Sequence, residues 1–448
     1  MTQLLATTLP SIILVYIFVT QDKFPEPKKI IIITFIFGIL ITIPAGFLNS
    51  YLIDYLYYNF RYHDYYNEIE TFFVGPFTEE ILSKGADLRV DSVIPSFTNP
   101  NNLSIVTGRP PAVHGISGNF FYDNLSDQEV MMNDPSFLRT PTIFSAFEQA
   151  GARIAVITAK DKLRKLLGHG LTFGKGSSIC FSAEKANEIS LQDNGYENIL
   201  EIAGLDLPSV YSADLSEFVF AAGVKLMELE KPDLMYLSTT DYIQHKFAPG
   251  SDGANKFYEM MDSYWAQLDK LGANLILTAD HGMNAKYDDL GEPNVIYLQD
   301  VFDNLLGDQT ARVILPITDP YVVHHGALGS FATVYLPANA AVEEVIAELL
   351  KLDGILSVLD REDACKAYEL PEDRMGDLVI ISDRHKVLGT KESEHDLSGL
   401  DAPLRSHGGS TEQVVPLITS SPLNPAAIIK DLRNFDAFHV GLNLVDQN

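Results

Sequence analysis

Val93-Ile-Pro-Ser-Phe-Thr98-Asn-Pro-Asn-Asn102-Leu-Ser-Ile-Val-Thr-Gly108 is the stretch from which the fold of this chain is read. Apolar Val90, Val93 and Ile94 read as the end of a strand. Pro100 suits the first position of a helix, Leu103, Ile105 and Val106 give it an inner face, and Gly108 stops it. Thr98 is thereby placed where a strand hands over to a helix N-terminus. The unpaired N–H groups and positive dipole end at such a point make an anion site, so a hydroxyl there is set to attack phosphorus. A threonine hydroxyl is a weak nucleophile until a base or metal ion activates it. Metal ligands are therefore expected elsewhere in the chain.

Working outward, the balance of 32 Lys+Arg against 60 Asp+Glu over 448 residues, net -28, argues against nucleic acid or an anionic lipid surface as partner. It favours solubility and bound cations. The length allows two or three structural units. Cys180 and Cys365 stand far apart and in no metal-ligand spacing, so no disulfide framework and no thiol nucleophile is expected, and a reducing compartment is the default for the main body.

Toward the N-terminus the character changes. Leu4 to Thr20 and Ile30 to Leu56 are strongly apolar runs separated by Gln-Asp-Lys-Phe-Pro-Glu-Pro-Lys-Lys. At ~20 residues per crossing, residues 4–20 and 30–56 are expected to enter a membrane, with a buried helix pair as the other reading. A cleaved signal peptide fits poorly, because the start is not basic and the second run would remain. Lys23, Lys28 and Lys29 in the loop put that loop in the cytoplasm and send the body to the other side, against its reducing look. Localisation is membrane-associated if the N-terminal segment is a real part of the protein, and cytoplasmic otherwise. Asp22-Lys-Phe-Pro-Glu-Pro-Lys-Lys and Phe77-Thr-Glu79-Glu80-Ile-Leu-Ser-Lys84 resemble the start of a PrsW-type intramembrane protease. The later spans of that family and their ligands are missing, so proteolysis is not carried over. Glu79 and Glu80 read as charges on a solvated helix edge.

From Gly85 onward strands alternate with helices, which predicts an α/β fold with a mostly parallel sheet covered on both faces. Helix is expected at 142–150 and 216–228, and strand at 153–158, 234–237 and 274–278. Phe257, Met260, Met261, Tyr264, Trp265, Leu268 and Leu271 fall at helical spacing and read as core. Between about 312 and 398 short strands with one strong helix, 341–350, suggest an inserted α+β cap. The core is then 85–311 with 399–448, and 1–84 is a membrane-helix segment.

The chemistry-bearing residues follow strands. Thr239-Thr240-Asp241-Tyr-Ile-Gln-His245 comes after the strand 234–237; if a helix begins at Asp241, its carboxylate and the His245 imidazole lie on one face and grip one cation. An ordinary helix start with an N-cap is the plain alternative. Asp280-His281-Gly282 follows the next strand, and Ser406-His407-Gly408-Gly409 sets a histidine in a glycine-flanked turn. Parallel sheets place sites at the carboxyl ends of strands, so these pairs and Thr98 are expected to converge. Oxygen and nitrogen donors without thiolate suit zinc or manganese, and two such ions would clamp both oxygens of an in-line phosphoryl transfer. His324 and His325 in the cap read as structural or substrate-facing, and His114 and His169 as packing or turn residues.

Here a family enters. From about Gly85 to the end the chain resembles the phosphonoacetate hydrolases of the alkaline phosphatase superfamily, through Pro95-Ser-Phe-Thr-Asn-Pro-Asn-Asn, Val113-His-Gly-Ile-Ser-Gly-Asn119, Thr158-Ala-Lys-Asp-Lys162, Tyr211-Ser-Ala-Asp-Leu-Ser-Glu-Phe, Ser238-Thr-Thr-Asp-Tyr-Ile-Gln-His245, Ala279-Asp-His-Gly-Met-Asn284 and Arg405-Ser-His-Gly-Gly409. The resemblance implies Thr98 as nucleophile and metal ligand, Asp280 and His281 sharing its zinc, and Asp241, His245 and His407 holding a second. It implies Asn119 on the phosphoryl oxygens and Lys160 and Lys162 on the substrate carboxylate. The implied reaction is hydrolysis of phosphonoacetate to acetate and phosphate through a phosphothreonine. Such a carbon–phosphorus bond breaks only if the departing carbanion is stabilised, and two lysines suit the enolate dianion that forms. Their plain alternative is solvated surface charge.

One departure is expected. The family opens with a strand closing on Asp-Gly, whose carboxylate joins the nucleophile's zinc; residues 48–80 hold no such strand, and Asp54, Asp64, Asp87 and Asp91 do not match. The first zinc site is therefore expected to lack one ligand, and residues 1–84 read as foreign to the hydrolase, joined by a recombined or mis-assembled reading frame. A membrane-tethered enzyme with a rebuilt site is the alternative; a general phosphatase or phosphodiesterase, and an inactive membrane-anchored phosphonate-binding protein, are the other readings.

Overall fold

The computed structural model describes residues 75–448 apart from 125, 318–326, 427–430 and 447–448. The apolar runs at 4–20 and 30–56, the lysines between them, His324 and His325 lie outside the described residues. Among those described, no helix is long and apolar enough to cross a membrane.

α1 (Pro76–Lys84) starts without a capping side chain of its own. Its first amides instead donate to the Asp262 carboxylate, Phe77 N at 3.1 Å and Thr78 N at 2.6 Å, which places a negative charge at the positive end of the helix. Phe77 and Ile81 pack with Val224, Leu268 and Leu275. The boundary expected at residue 84 therefore falls before α1, which belongs to the body. Glu79 and Glu80 are exposed, as charges on a solvated edge should be.

β1 (Ala86–Asp91) ends before Val93 and Ile94, which were expected to close it. Val93 N instead donates to Asn101 Oδ1 at 2.8 Å, and Asn101 Nδ2 returns bonds to the carbonyls of Val93 and Phe97. A local side-chain amide thus takes over backbone groups that a strand ladder would have used. α2 (Thr98–Thr107) begins at Thr98 rather than at Pro100. First-turn amides have no intrahelical partner, so proline is tolerated inside that turn as well as at its first position. Gly108 closes the helix at φ 62°, donating to Ser104 O at 2.8 Å, in a left-handed conformation that favours glycine.

α3 (Ile143–Gln149) is capped by Thr142, whose Oγ1 accepts from Ser145 N. It leads to β2 (Ile154–Thr158), α4 (Asp161–Leu167) and β3 (Ile179–Ser182), with both strands wholly buried. α5 (Asp214–Leu229) covers them, burying Leu215, Phe218, Val219 and Leu226. At ~1.5–3 kcal/mol per buried side chain these four contribute on the order of 10 kcal/mol before entropy is counted. Next come β4 (Leu234–Ser238), the short α6 (Tyr242–Lys246), α7 (Asp252–Lys270), β5 (Ile276–Thr278) and β6 (Asn284–Ala285). Phe257 and Leu268 of the expected stripe are buried, whereas Leu271 lies past the helix end and is exposed.

The inserted region folds as β7 (Arg312–Ile314), β8 (Phe331–Tyr335), α8 (Val342–Leu349), β9 (Ile355–Asp360), α9 (Arg361–Tyr368) and β10 (Leu378–Ser382). Its sheet is antiparallel in the order β7-β8-β10-β9. α9 is a second helix where one was expected; Asp360 caps it by accepting from Asp363 N. The cap shares a single apolar cluster with Ile94 and Phe97, so its core runs on beneath the Thr98 turn. β11 (Arg405–Ser406) and β12 (Val414–Thr419) bring the chain back.

The expected mostly parallel sheet is found in part. β3-β2-β4 is parallel throughout, but β1-β12-β5 is antiparallel. The reason is the return from the cap: β12 runs between β1 and β5 against both, which leaves those two parallel to each other. β4 and β5 are followed by Asp241 and Asp280, and both carboxylates reach His281.

Candidate metal centre

Asp241 follows β4 at the head of α6, and His245 stands one turn further on. Asp241 gives no capping bond to that helix, so its carboxylate is free for other work. The Asp241, His245 and His407 donor atoms all lie within 4.8 Å of one another. From Asp241 Oδ2 the Nε2 atoms of His245, His407 and His281 lie at 3.1, 3.6 and 3.8 Å. His281 Nε2 is also 3.7 Å from Asp280 Oδ2. It therefore sits between the two carboxylates rather than with Asp280 alone. The His281 and His407 rings stack face to face, 3.6 Å apart with 5° between planes.

The three imidazoles share one orientation. Nδ1 of His245 meets Arg405 O at 2.8 Å, Nδ1 of His281 meets Gly282 O at 2.9 Å, and Nδ1 of His407 meets Ser96 O at 2.7 Å. A carbonyl oxygen only accepts, so each Nδ1 carries a proton and each Nε2, facing Asp241, is the atom that can bind a cation. His281 Nε2 is buried without a hydrogen-bond partner, the mark of a donor set built for a cation. Burial holds the His407 pKa well below the usual imidazole range, helped by the neighbouring His281, which keeps the ring neutral. Closed surroundings push the Asp241 carboxyl up, but attraction to His245, then to His281, outweighs this and holds it below the usual carboxylate range. Burial pushes Asp280 up, and the charge of Asp241 adds to that.

Thr98, at the head of α2, reaches this cluster through two neighbours. Ser96 binds the His407 loop: besides accepting from Nδ1, its Oγ donates to Gly409 O at 2.9 Å and accepts from Gly408 N at 3.1 Å. Gly408 has φ 127°, and a Cβ there would come within 2.3 Å of the Phe97 ring, so only glycine allows this approach. Asn102, one helical turn after Thr98, is the second neighbour. Its Nδ2 donates to Thr98 O at 3.0 Å and to Asp280 Oδ2 at 3.1 Å, while its Oδ1 accepts from Tyr236 OH at 2.8 Å and Ser238 Oγ at 3.2 Å. Asn102 thus joins the Thr98 helix, β4 and Asp280. Sequence reasoning gave it no role, although its i+4 spacing from Thr98 on one helix face was a usable signal.

The expected substrate residues are placed less centrally. Lys160, at the head of α4, is half-buried; its Nζ donates to Val210 O and lies 5.1 Å over the Tyr211 ring. Burial lowers its pKa, and the Glu184 and Asp241 carboxylates oppose this. Lys162 is exposed. Asn119 donates its backbone N–H to Pro316 O and accepts from Met132 N, which ties it to the edge of the cap. His114 is packed against Ser104 Oγ and Ile116 N, and burial lowers its pKa to about 3; His169 is an exposed turn residue.

Residues 63–410 match the type I phosphodiesterase / nucleotide pyrophosphatase family. The fold is similar to that of phosphonoacetate hydrolase from Sinorhizobium meliloti 1021, solved with phosphonoacetate and with phosphonoformate. Identity is 58%, with 82% of this chain and 89% of that one covered and a TM-score of 0.79. A phosphonoacetate hydrolase of Penicillium oxalicum is 52% identical over 48 residues, 10% of this chain and 67% of that protein. An uncharacterised pyrophosphatase/phosphodiesterase of Schizosaccharomyces pombe is 26% identical over 249 residues, 51% of this chain; the chain spans 44% of that protein's length. Murine ectonucleotide pyrophosphatase / phosphodiesterase 5 shares the fold at 17% identity, with 82% and 88% of the two chains covered and a TM-score of 0.54. The family match starts inside the segment expected to be foreign, in agreement with the packing of α1. By its family match and its kinship with an enzyme of known structure, the chain belongs to the type I phosphodiesterase / nucleotide pyrophosphatase family of the alkaline phosphatase superfamily and is related within it to the phosphonoacetate hydrolases.

Proposed function

We propose that the chain hydrolyses the carbon–phosphorus bond of phosphonoacetate, yielding acetate and phosphate. The observation that carries this is the set of three imidazoles, each with Nδ1 tied to a carbonyl and Nε2 turned to Asp241, beside a threonine at a helix N-terminus. The 58% identity to an enzyme solved with phosphonoacetate supports the choice of substrate.

On this reading Asp241, His245 and His407 hold one cation, and Thr98, Asp280 and His281 the other. The donors suit zinc, or manganese in its place. Bound there, such ions lower the pKa of the threonine hydroxyl and of water and neutralise phosphoryl charge. Thr98 Oγ gives up its proton to solvent water and bonds to phosphorus. The phosphorus–carbon bond breaks, its electron pair passes into the acetate enolate, and a solvent proton completes acetate. Lys160 and Lys162 hold the dianion, while Asn119 and the first-turn amides of α2 hold the phosphoryl oxygens. Water then opens the phosphothreonine ester and frees phosphate. The sequence of residues 48–80 offers no apolar run closing on Asp-Gly, so a cation at Thr98 would have three donors among the named residues and would bind the more weakly.

The test is phosphate release by the full chain from phosphonoacetate and from p-nitrophenyl phosphate, with zinc counted per chain, for wild type and Thr98→Val. Release from phosphonoacetate that vanishes in Thr98→Val supports the reading. Release from p-nitrophenyl phosphate alone would make the chain a general phosphatase or phosphodiesterase. Two tightly held zinc ions per chain would remove the claim of a depleted first site.

A further inference from the structure

Beneath the metal centre lies a buried ion pair that the proposed reaction does not use. Lys286 and Glu412 are both fully buried, with Nζ and Oε1 3.0 Å apart. Glu412 Oε1 also accepts from Asn284 Nδ2 at 2.6 Å and from Thr411 Oγ1 at 2.6 Å, and Oε2 accepts from Gly409 N at 3.0 Å. Its backbone carbonyl accepts from Gly282 N at 2.7 Å.

These partners fall in two groups. Gly282, Asn284 and Lys286 follow His281, and Gly409 follows His407. The short pairing of β6 with β11 joins the same two segments. Asn284 Oδ1 accepts from Arg384 Nε at 3.1 Å and Lys286 Nζ reaches Asp383 O at 3.4 Å, so the cap's β10 turn is drawn into the same knot. A single carboxylate thus has donors on both loops that carry the stacked imidazoles. An ion pair kept only for stability is poorly explained here, because a buried pair often returns little net free energy over apolar packing.

We infer that Glu412 is a positioning residue that sets the spacing of His281 and His407, and with it the spacing of the two cation positions. The inference rests on the reading of the site as a metal centre. Glu412 is not one of the candidate cation donors; it acts by holding the His281 and His407 loops in one arrangement, and metal-site partners of this kind usually change affinity ~10–100-fold when lost.

The experiment uses the full chain, stripped of metal, as wild type, Glu412→Gln and Thr411→Val. Zinc affinity is measured by competition with a fluorescent chelator, coordination geometry by the visible bands of the Co2+-loaded protein, and stability of the apo protein by denaturant. Glu412→Gln is expected to bind zinc ~10–100-fold more weakly and to shift the Co2+ bands, with Thr411→Val moving both in the same direction by less. Zinc affinity within twofold of wild type and an unchanged Co2+ spectrum would overturn the inference, even if apo stability falls, because the pair would then be structural only. If Glu412→Gln does not fold, Thr411→Val decides alone: several-fold weaker zinc binding supports the role and unchanged binding overturns it. A wild-type chain that binds no zinc removes the metal-centre reading and this inference together, a result distinct from a variant that matches wild type.

Discussion

Replacing Asn102 by Asp changes almost no volume but turns a donor into a charge facing Asp280. The Asn102 Nδ2 to Asp280 Oδ2 separation is 3.1 Å. Two unit charges at that distance repel by roughly 5 kcal/mol at an effective dielectric of about 20. The pair can escape by keeping one proton. At pH 7 and from a reference value of 3.8, that costs 1.36 kcal/mol per unit over 3.2 units, or ~4 kcal/mol. The cheaper route wins, so Asn102→Asp is expected to lose ~4 kcal/mol at pH 7, plus ~1 kcal/mol for the lost donor bonds. A carboxyl whose folded pKa lies above its unfolded value costs stability above that unfolded value and recovers it as pH falls. At pH 5.5 the same arithmetic leaves ~2 kcal/mol. Wild type and variant, both stripped of metal, are compared by urea unfolding between pH 5.5 and 7.5. A loss below ~1 kcal/mol at pH 7, or one that does not change with pH, would show that the Asn102 side chain does not face the Asp280 carboxylate.

Lys160→Met is expected to lower kcat/KM for phosphonoacetate about 10–100-fold, ~1.4–2.7 kcal/mol, while leaving p-nitrophenyl phosphate turnover unchanged; equal losses on both substrates would mean that Lys160 serves the fold instead. Phe97 is fully buried, edge-on to Phe331 at 6.1 Å and to His407 at 5.7 Å. Phe97→Ala should cost ~3–5 kcal/mol by denaturant unfolding, and a cost under ~1 kcal/mol contradicts the shared core. Burial pushes the Cys180 thiol up to about 12 and the Cys365 thiol to about 11. Neither should react with a disulfide reagent at pH 8 until the chain unfolds, and rapid native labelling would refute their enclosure.

How much was legible without coordinates follows from the range of each interaction. The i+4 placement of His245 after Asp241 is a property of a few consecutive residues, and so is the helix stop at Gly108. Such features depend on local backbone geometry and can be read from pattern. The antiparallel course of β12 depends on how the chain returns from the cap, and no local period records that. The same holds for Asp262 capping α1, for Asn102 meeting Tyr236, Ser238 and Asp280, and for Glu412 lacing two distant loops. These are contacts between segments far apart in the chain, made by polar side chains whose neighbours are chosen by packing. The residue types and order of the candidate donors were thus determined by sequence, whereas the proton on each Nδ1 and the place of His281 between Asp241 and Asp280 were decided only when folding set a particular carbonyl behind each ring.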